Sequence, residues 1–503
     1  MHTLGVNTLD IKLQKNLQAF KTLLPSEDIL TYEFKTQDNV SCALIYADGM
    51  VNKELLGELV ARPLSAITLK NKQNEGGRVE NKQNFIMTST RFPELKELEN
   101  VEDMLNEILD GNTLLLVDGL KIGFIAGAKL LPVRAIMEPP TDVAVKGPRE
   151  GFIEDIKTNM SLVRKRLKSP DLRFQTLRVG KRSNTAVAVC WLEGTSNSAL
   201  KDEIIKKIQN INIDNVPDSS YIAALLAPRK HSVFRSIGNT EKPDVFTAKL
   251  AEGRVGILVD GSPLALTAPF LLTEDFQSSE DYFISPFMAT VFRFMRFFAL
   301  FVAILLPAFY VCAQLFKMQL LPLGLMLTIA SSVRELPLSP SLEMFVVLLL
   351  LEILKEASIR MPKYVGMSLS VVGALVLGET AVSAGFLSTP AIIIVALSGI
   401  CLYTVPDFVE TGSILRWVFL IVAGGIGPFG IILFSAFLLF YLISSDSFGT
   451  PILAPFSPLV HHDLRDSVVK YGMQSLSLRP KILHSKNKTR LRINDKKDEG
   501  ESK

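Results

Sequence analysis

Cysteine is scarce in this 503-residue chain: Cys42, Cys190, Cys312 and Cys401 stand alone, with no CxxC pair. That spacing argues against a disulfide framework or a cysteine zinc site and predicts reduced thiols. Histidine carries no pattern either. His2, His231, His461, His462 and His484 are scattered, and adjacent His461 and His462 lack the i, i+4 spacing of a helical metal pair. No charge of one sign dominates: the net charge is +3, so nothing marks a nucleic-acid partner. GxxxxGK[ST] is absent, and no Ser, Asp or Glu sits in a nucleophile motif. The sequence therefore predicts no enzyme, no cofactor and no metal. MHTLGVNTLDIKLQKNLQAF, at the start, lacks a basic region followed by an apolar one. It predicts no secretory signal, and hence a soluble portion that stays in the cytoplasm.

What the chain does have is uneven. Residues before about Phe283 read as soluble protein, those from Phe297 to Ile443 are mostly apolar, and a basic tail follows. The soluble part repeats itself. Leu13, Leu17, Phe20 and Leu24 fall on one helical face, and Ile156, Met160, Val163 and Leu167 repeat that spacing 143 positions later. Ser26 and Asp28 answer Ser169 and Asp171. CALIYADG (42–49) answers VAVCWLEG (187–194), and GNTLLLVDG (111–119) answers GRVGILVDG (253–261). Elements recurring in one order predict two copies of an α/β subdomain, each helix, strand, strand, helix, then helix and hairpin. Asp118-Gly119 and Asp260-Gly261 suit tight hairpin turns with φ > 0 at both central positions. NKQNEGGRVENKQNF (71–85), which contains NKQN twice, predicts a surface loop.

The expected organisation is a first α/β subdomain at 9–137, a strap at 138–151, a second subdomain at 152–282, a transmembrane helical domain at 283–445 and a cytoplasmic basic tail at 446–503. The strap, MEPPTDVAVKGPREGF, is broken by Pro139-Pro140 and Gly147-Pro148 and crowded with charge. It reads either as a solvated linker or as a structured lock, in which Glu138, Asp142, Arg149 and Glu150 tie one copy to the other through bidentate guanidinium–carboxylate pairs.

FFALFVAILLPAFYVCAQLF (297–316) is long enough to cross about 30 Å of hydrocarbon. Arg293 and Arg296 before it favour a cytoplasmic N-terminal side. FISPFMATVFRFMRFF (283–298) is aromatic and basic and suits the headgroup boundary. Two short apolar pieces follow, 320–332 and 345–351. They form a re-entrant hairpin, or the second runs through LEILKEASIR into a longer amphipathic helix. Further spans are expected at 366–386, 391–405 and 415–443. Basic residues from Arg465 to Arg492 put the other end inside as well, so the crossings are even: four plus a re-entrant hairpin, or six.

Glu379 is the one charge in VVGALVLGETAVSAGF (371–386). A carboxylate at membrane depth costs a few kcal/mol and needs a reason. Gly373, Gly378, Ala381, Ser383, Ala384 and Gly385 around it let helices approach closely. It is either a carboxyl hydrogen-bonded to a neighbouring helix, a carboxylate lining a watery path, or a contact with a partner protein. Glu352, Glu356 and Arg360 share one helical stripe beside Lys355. The stripe is either an ordinary exposed face of i, i+4 pairs or a charged vestibule.

GPREGF (147–152) after EPPTD (138–142), then EILKEASIRMP (352–362), VGALVLGETAV (372–382) and SFGTPILAPFSP (447–458), resemble the signatures of the A subunit of spore germinant receptors. The resemblance covers roughly residues 20–475. Lys146 stands where that family commonly has Arg, and Asp407 where it commonly has Asn. The resemblance implies an α/β duplicated N-terminal soluble domain followed by an α-helical polytopic membrane domain in the spore inner membrane. It implies a homo-oligomer forming a nutrient-gated cation channel, with a transporter-like B subunit and a C lipoprotein as partners. Glu352, Lys355, Glu356 and Glu379 would then line the pore or its vestibule. A stage V sporulation protein AF-like paralogue that amplifies ion release stays open, as do a transporter-like permease and a membrane-anchored scaffold.

Overall fold

The structure is a computed structural model that describes residues 8–67, 86–87, 90, 92, 95–130, 146–229, 232–316, 322–333, 336–362, 373 and 376–491. Glu138 and Asp142 of the strap, and the NKQN loop, lie outside the described residues. The chain divides into an α/β unit (Met1–Lys230, Ser236–Phe270, Ser477–Lys503) and a helical unit (His231–Arg235, Leu271–Leu476).

The α/β unit is the duplication made physical. Its first copy runs α1 (Leu13–Leu23), β1 (Ile29–Lys35), β2 (Ser41–Ala47), α2 (Lys53–Leu56), β3 (Leu95–Leu98), α3 (Val101–Leu109), β4 (Thr113–Val117) and β5 (Gly123–Ala126). A wide turn (Gly57–Ala61) and a further helical turn (Arg62–Ser65) extend α2. The second copy runs α4 (Ile156–Arg166), β6 (Leu172–Val179), β7 (Thr185–Leu192), α5 (Ser198–Gln209), α6 (Ser219–Leu226), β8 (Gly238–Thr240), α7 (Pro243–Glu252), β9 (Val255–Val259) and β10 (Ala265–Ala268). The sheets are ordered β1-β2-β4-β5-β3 and β6-β7-β9-β10-β8, the same antiparallel topology twice.

Each sheet's interior follows from its sequence. β4 (TLLLV) and β9 (VGILV) are buried throughout, as apolar runs covered on both faces require. On one face of the first sheet, Leu13, Leu17 and Phe20 of α1 pack with Met104 and Ile108 of α3 over Ile45 and Leu114. Leu56, Val60 and Leu64 cover Leu44, Leu115 and Phe124 on the other face.

Two details of the repeat were not legible in the pattern. The edge strands β3 and β8 are only four and three residues long. The Asp-Gly pairs also do not make two-residue turns. Gly119 and Gly261 have positive φ of 90° and 83°, but the aspartates do not, and the loops run on to β5 and β10. Asp118 Oδ1 accepts the N–H of Leu13 at 2.8 Å, and Asp260 Oδ1 that of Ile156 at 3.3 Å. The paired aspartates therefore satisfy orphan donors where α1 and α4 begin. Asn16 and Asn159 each clasp the backbone six residues upstream, at Asp10 and Ile153, in both directions.

The helical unit holds α8 (Pro286–Leu315), α9 (Leu323–Val333), α10 (Pro340–Arg360), α11 (Thr389–Leu402), α12 (Val409–Ile426) and α13 (Pro428–Ile443). Several helices start on a Ser-Pro signal. Ser285, Ser339 and Ser388 accept backbone N–H groups in the first turn, and proline sits just after each, where its missing donor does no harm. Residues 283–298 are not a separate interfacial piece, because α8 starts at Pro286 and continues through them. The second short piece extends through LEILKEASIR as α10, the longer-helix alternative. The stretch 415–443 is not one span: Gly427, with φ +76°, and Pro428 divide it into α12 and α13.

Small residues bring the helices together. Ala303 and Ala308 of α8 and Ala423 of α12 are fully buried in one core with Leu300, Leu415 and Phe419. Among the described residues two helices, Pro286–Leu315 and Pro406–Ile426, are long and apolar enough to cross a membrane, and Thr389–Leu402 and Pro428–Ile443 are shorter apolar helices. Residues 446–476 fold within the helical unit rather than trailing as a tail. Residues 477–491 dock on the α/β unit, where Lys486 N donates to Thr195 O at 2.9 Å and Arg479 Nε to Ala251 O at 2.6 Å.

Candidate functional site

The two copies of the α/β unit are held together by charge. Arg164 of α4 is buried, and its Nε and Nη2 reach Asp28 Oδ2 and Oδ1 at 2.9 and 2.8 Å. Ser26 Oγ donates to Asp28 at 2.5 Å and accepts from Phe174 N at 3.1 Å. The remaining guanidinium hydrogens go to Ser169 O and Leu172 O. The bidentate pair thus draws its hydrogen-bond partners from both copies. Glu150 of the strap turns to α4 instead, pairing with Lys165 Nζ at 2.9 Å and Arg166 Nη2 at 2.7 Å. Arg149 is exposed.

Two more pairs cross between the copies. Lys157 Nζ lies 3.4 Å from Asp48, which also holds Lys53, and Lys168 pairs with Asp110, which also holds Lys129. Burial pushes both carboxyls up, but the lysines outweigh it and hold them below their ordinary values. Carboxylates with depressed folded values stabilise the fold at neutral pH and lose that contribution as pH falls. The full-length protein is therefore expected to melt at a lower temperature at pH 3.5 than at pH 6. Lys157→Ala with Lys168→Ala should flatten that dependence. Equal slopes in both proteins would contradict it.

In the helical unit, the start of α8 is tied to the chain beyond α13. Asp281, fully buried, accepts Arg293 Nε at 3.0 Å and Arg296 Nη1 and Nη2 at 2.8 and 3.0 Å. Arg293 Nη1 continues to Asp466 Oδ1 at 3.0 Å and to Ser467 O at 3.0 Å. Tyr282 donates to Asp466, and Lys470 Nζ to the carbonyl of Asp281.

Arg416 of α12 makes a second internal knot. It is 1% exposed and donates to Glu352 Oε1 at 2.7 Å and to Ser398 Oγ at 3.2 Å, while Ser398 Oγ donates to Ala303 O at 2.6 Å. Glu352 Oε2 lies 3.5 Å from Lys355 Nζ. One arginine thus joins α8, α10, α11 and α12. The predicted stripe is divided: Glu352 and Lys355 are partly buried in this knot, and Glu356 pairs outside with Arg360 at 2.6 Å. Glu379, in a wide helical turn (Val376–Thr380), is exposed and makes no ion pair among the described residues.

The family model described as Bacillus/Clostridium GerA spore germination protein matches residues 14–482. The chain belongs to the GerA family. Spore germination protein KA of Bacillus subtilis is 32% identical over 483 residues, spanning 95% of this chain and 88% of that protein. Spore germination protein GerLA of Bacillus cereus is 33% identical over 450 residues, spanning 89% and 90%. A crystal structure of the N-terminal domain of the A subunit of the Bacillus megaterium spore germinant receptor GerK3 is 28% identical, with a TM-score of 0.41, covering 53% of this chain and 98% of that one.

Within this GerA chain, Asp407 has a specific use. Arg235 Nη2 lies 3.2 Å from Asp407, and its Nε donates to Asp275 at 3.1 Å. Beside it, Phe234 packs on Phe408 and Tyr441, and Val233 O accepts from Thr411. Sequence reasoning missed Arg164, Arg416, Asp281 and Glu343. A usable signal existed for three of them. Arg416 interrupts SILRWVFLIV, Glu343 starts an apolar helix, and Arg293 near a span needed an acid, which is Asp281.

Proposed function

We propose that this GerA-family chain is the A subunit of a nutrient germinant receptor in the spore inner membrane. In this reading several copies assemble into a cation channel that a nutrient opens, together with a transporter-like B subunit and a C lipoprotein. The Asp281–Arg293–Asp466 knot joins the two ends of the helical unit, which supports an even number of crossings. Arg293, Arg296 and the basic residues near the C-terminus favour the core side for both ends.

One observation carries the channel reading: Glu379 is exposed in a single copy, inside an apolar stretch. A side chain added at neighbouring Gly378 or Gly385 would meet nothing within 4 Å. That open, small-residue surface suits helices of further copies. A carboxylate there serves cation passage best when it faces water shared between copies. Among the described residues the repeat lies in the α/β unit, unlike the membrane-embedded repeats of transporters.

Glu379→Gln removes the charge and keeps the shape. Spores carrying it are expected to release potassium at least several-fold more slowly after nutrient addition, with normal levels of the protein. Release at the wild-type rate would make Glu379 structural and overturn its place in the pore.

A further inference from the structure

Inside the helical unit lies a carboxylate that no cation answers among the described residues. Glu343, in the first turn of α10, is fully buried. Its Oε1 accepts the backbone N–H of Ser388 at 2.5 Å, at the head of the 14-residue α11. Among the described residues Glu343 Oε2 meets no donor.

Gln314 and Tyr310 lie one turn apart on α8, and Tyr310 packs in one cluster with Met344 and Leu387, the chain neighbours of Glu343 and Ser388. Tyr310 Oη faces Glu343, Gln314 and Ser388. Gln314 is 8% exposed and Tyr310 7%. Among the described residues neither polar atom of the amide, nor the phenol oxygen, makes a hydrogen bond of good geometry, although Tyr310 Oη stands within reach of Ser388 and Gln314. Around them Ile329, Met344, Leu387 and Leu420 are apolar. A buried polar group left bare is unfavourable, and a bare charge more so.

The chemistry of these atoms selects what fills the space. Carboxylate, amide and phenol oxygens are hard donors that suit hard cations rather than soft ones. One carboxylate with two neutral oxygens balances a single positive charge. A divalent ion would leave net charge in a low-dielectric interior, which is strongly unfavourable. We propose that Glu343 Oε2, Gln314 Oε1 and Tyr310 Oη form a binding site for one monovalent alkali cation within a single copy of the chain. The ion clamps α8, α10 and the start of α11 together. The site is separate from Glu379 and does not depend on conduction.

The test uses purified full-length protein in detergent and follows thermal unfolding in potassium, sodium or N-methylglucamine chloride at equal ionic strength. A ligand that binds only the folded state raises the midpoint by mass action. The expected result is a midpoint about 5 °C higher at a roughly hundredfold excess of potassium or sodium over its dissociation constant than in N-methylglucamine. Glu343→Gln keeps the acceptor for Ser388 and should lose at least tenfold in apparent cation affinity. Gln314→Leu should do the same with the carboxylate intact, and stands in if Glu343→Gln does not fold. Identical midpoints in all three salts would overturn the site, leaving a buried water as the occupant. So would a wild-type shift in both variants. A midpoint that follows pH but not the cation would make Glu343 a proton site instead. Nutrient, partner proteins and conduction are absent from this measurement, so its failure leaves the reading of Glu379 standing.

Discussion

Asp28→Ala is expected to lower the melting midpoint of the α/β unit by on the order of 10 °C. The substitution leaves Arg164, 1% exposed, with a buried guanidinium and no carboxylate. Breaking a buried pair from one side costs about 3–5 kcal/mol, because the surviving charge has lost its water and its partner together. In a domain of this size each kcal/mol moves the midpoint by roughly 2–4 °C. Arg164→Ala should do comparable harm by stranding Asp28, although Ser26 Oγ still donates to it. The double variant should lose less than the sum of the two, since neither charge then remains. Replacing Asp28 by Leu and Arg164 by Met should bring the midpoint back toward the parent. Calorimetry of the full-length protein reads all four. An Asp28→Ala midpoint within a degree of the parent would show that the pair holds nothing.

The pair is also built only once between the two copies. A head-to-tail contact between like copies propagates if each copy carries both halves. Here the first copy supplies Asp28, and the position matching Arg164 in that copy is Lys21, which is exposed. The second copy supplies Arg164, and its match to Asp28 is the exposed Asp171. Only one of the two possible contacts is built.

That asymmetry marks where sequence pattern reaches its limit. The duplication was legible because apolar spacing in α1 and α4, and the runs of β4 and β9, report burial directly. Ser26 and Asp28 were legible as members of a repeat but not as a lock, since a polar residue's partner lies far along the chain. The edge strands β3 and β8 are too short to show alternation. Gly427-Pro428 was hidden inside a continuous apolar run, where hydropathy alone cannot see a break. In the helical unit, Glu352 was found by its stripe, but what it meets, Arg416, sits on another helix 64 positions later. Glu379 was found because it stands alone among apolar residues, and the structure leaves it exposed. Glu343 stood next to a charged, proline-rich connector and looked like part of it.

Asp281→Ala is expected to do the most damage in the helical unit. It removes the carboxylate shared by Arg293, which is fully buried, and Arg296, and it disturbs the turn whose carbonyl accepts from Lys470. Two guanidiniums then face each other near the start of α8 with Asp466 as the remaining acid for Arg293. By the same reasoning as for Asp28, the loss is at least about 3–5 kcal/mol. It falls where the beginning of α8 meets residues 463–470, so that segment should detach first. Full-length Asp281→Ala protein is expected to accumulate poorly and to show rapid hydrogen exchange across 463–470, with exchange in β6, β7 and β9 unchanged. Asp281→Asn keeps one acceptor oxygen, loses the charge and turns an amide NH2 toward the guanidiniums, and should fall between the parent and Asp281→Ala. Arg296→Ala should be milder, because Arg296 is partly exposed and Arg293 still neutralises Asp281. Parent-like exchange across 463–470 in Asp281→Ala would mean that the two ends of the helical unit are held by packing rather than by this charge. An even number of crossings would then lose its support.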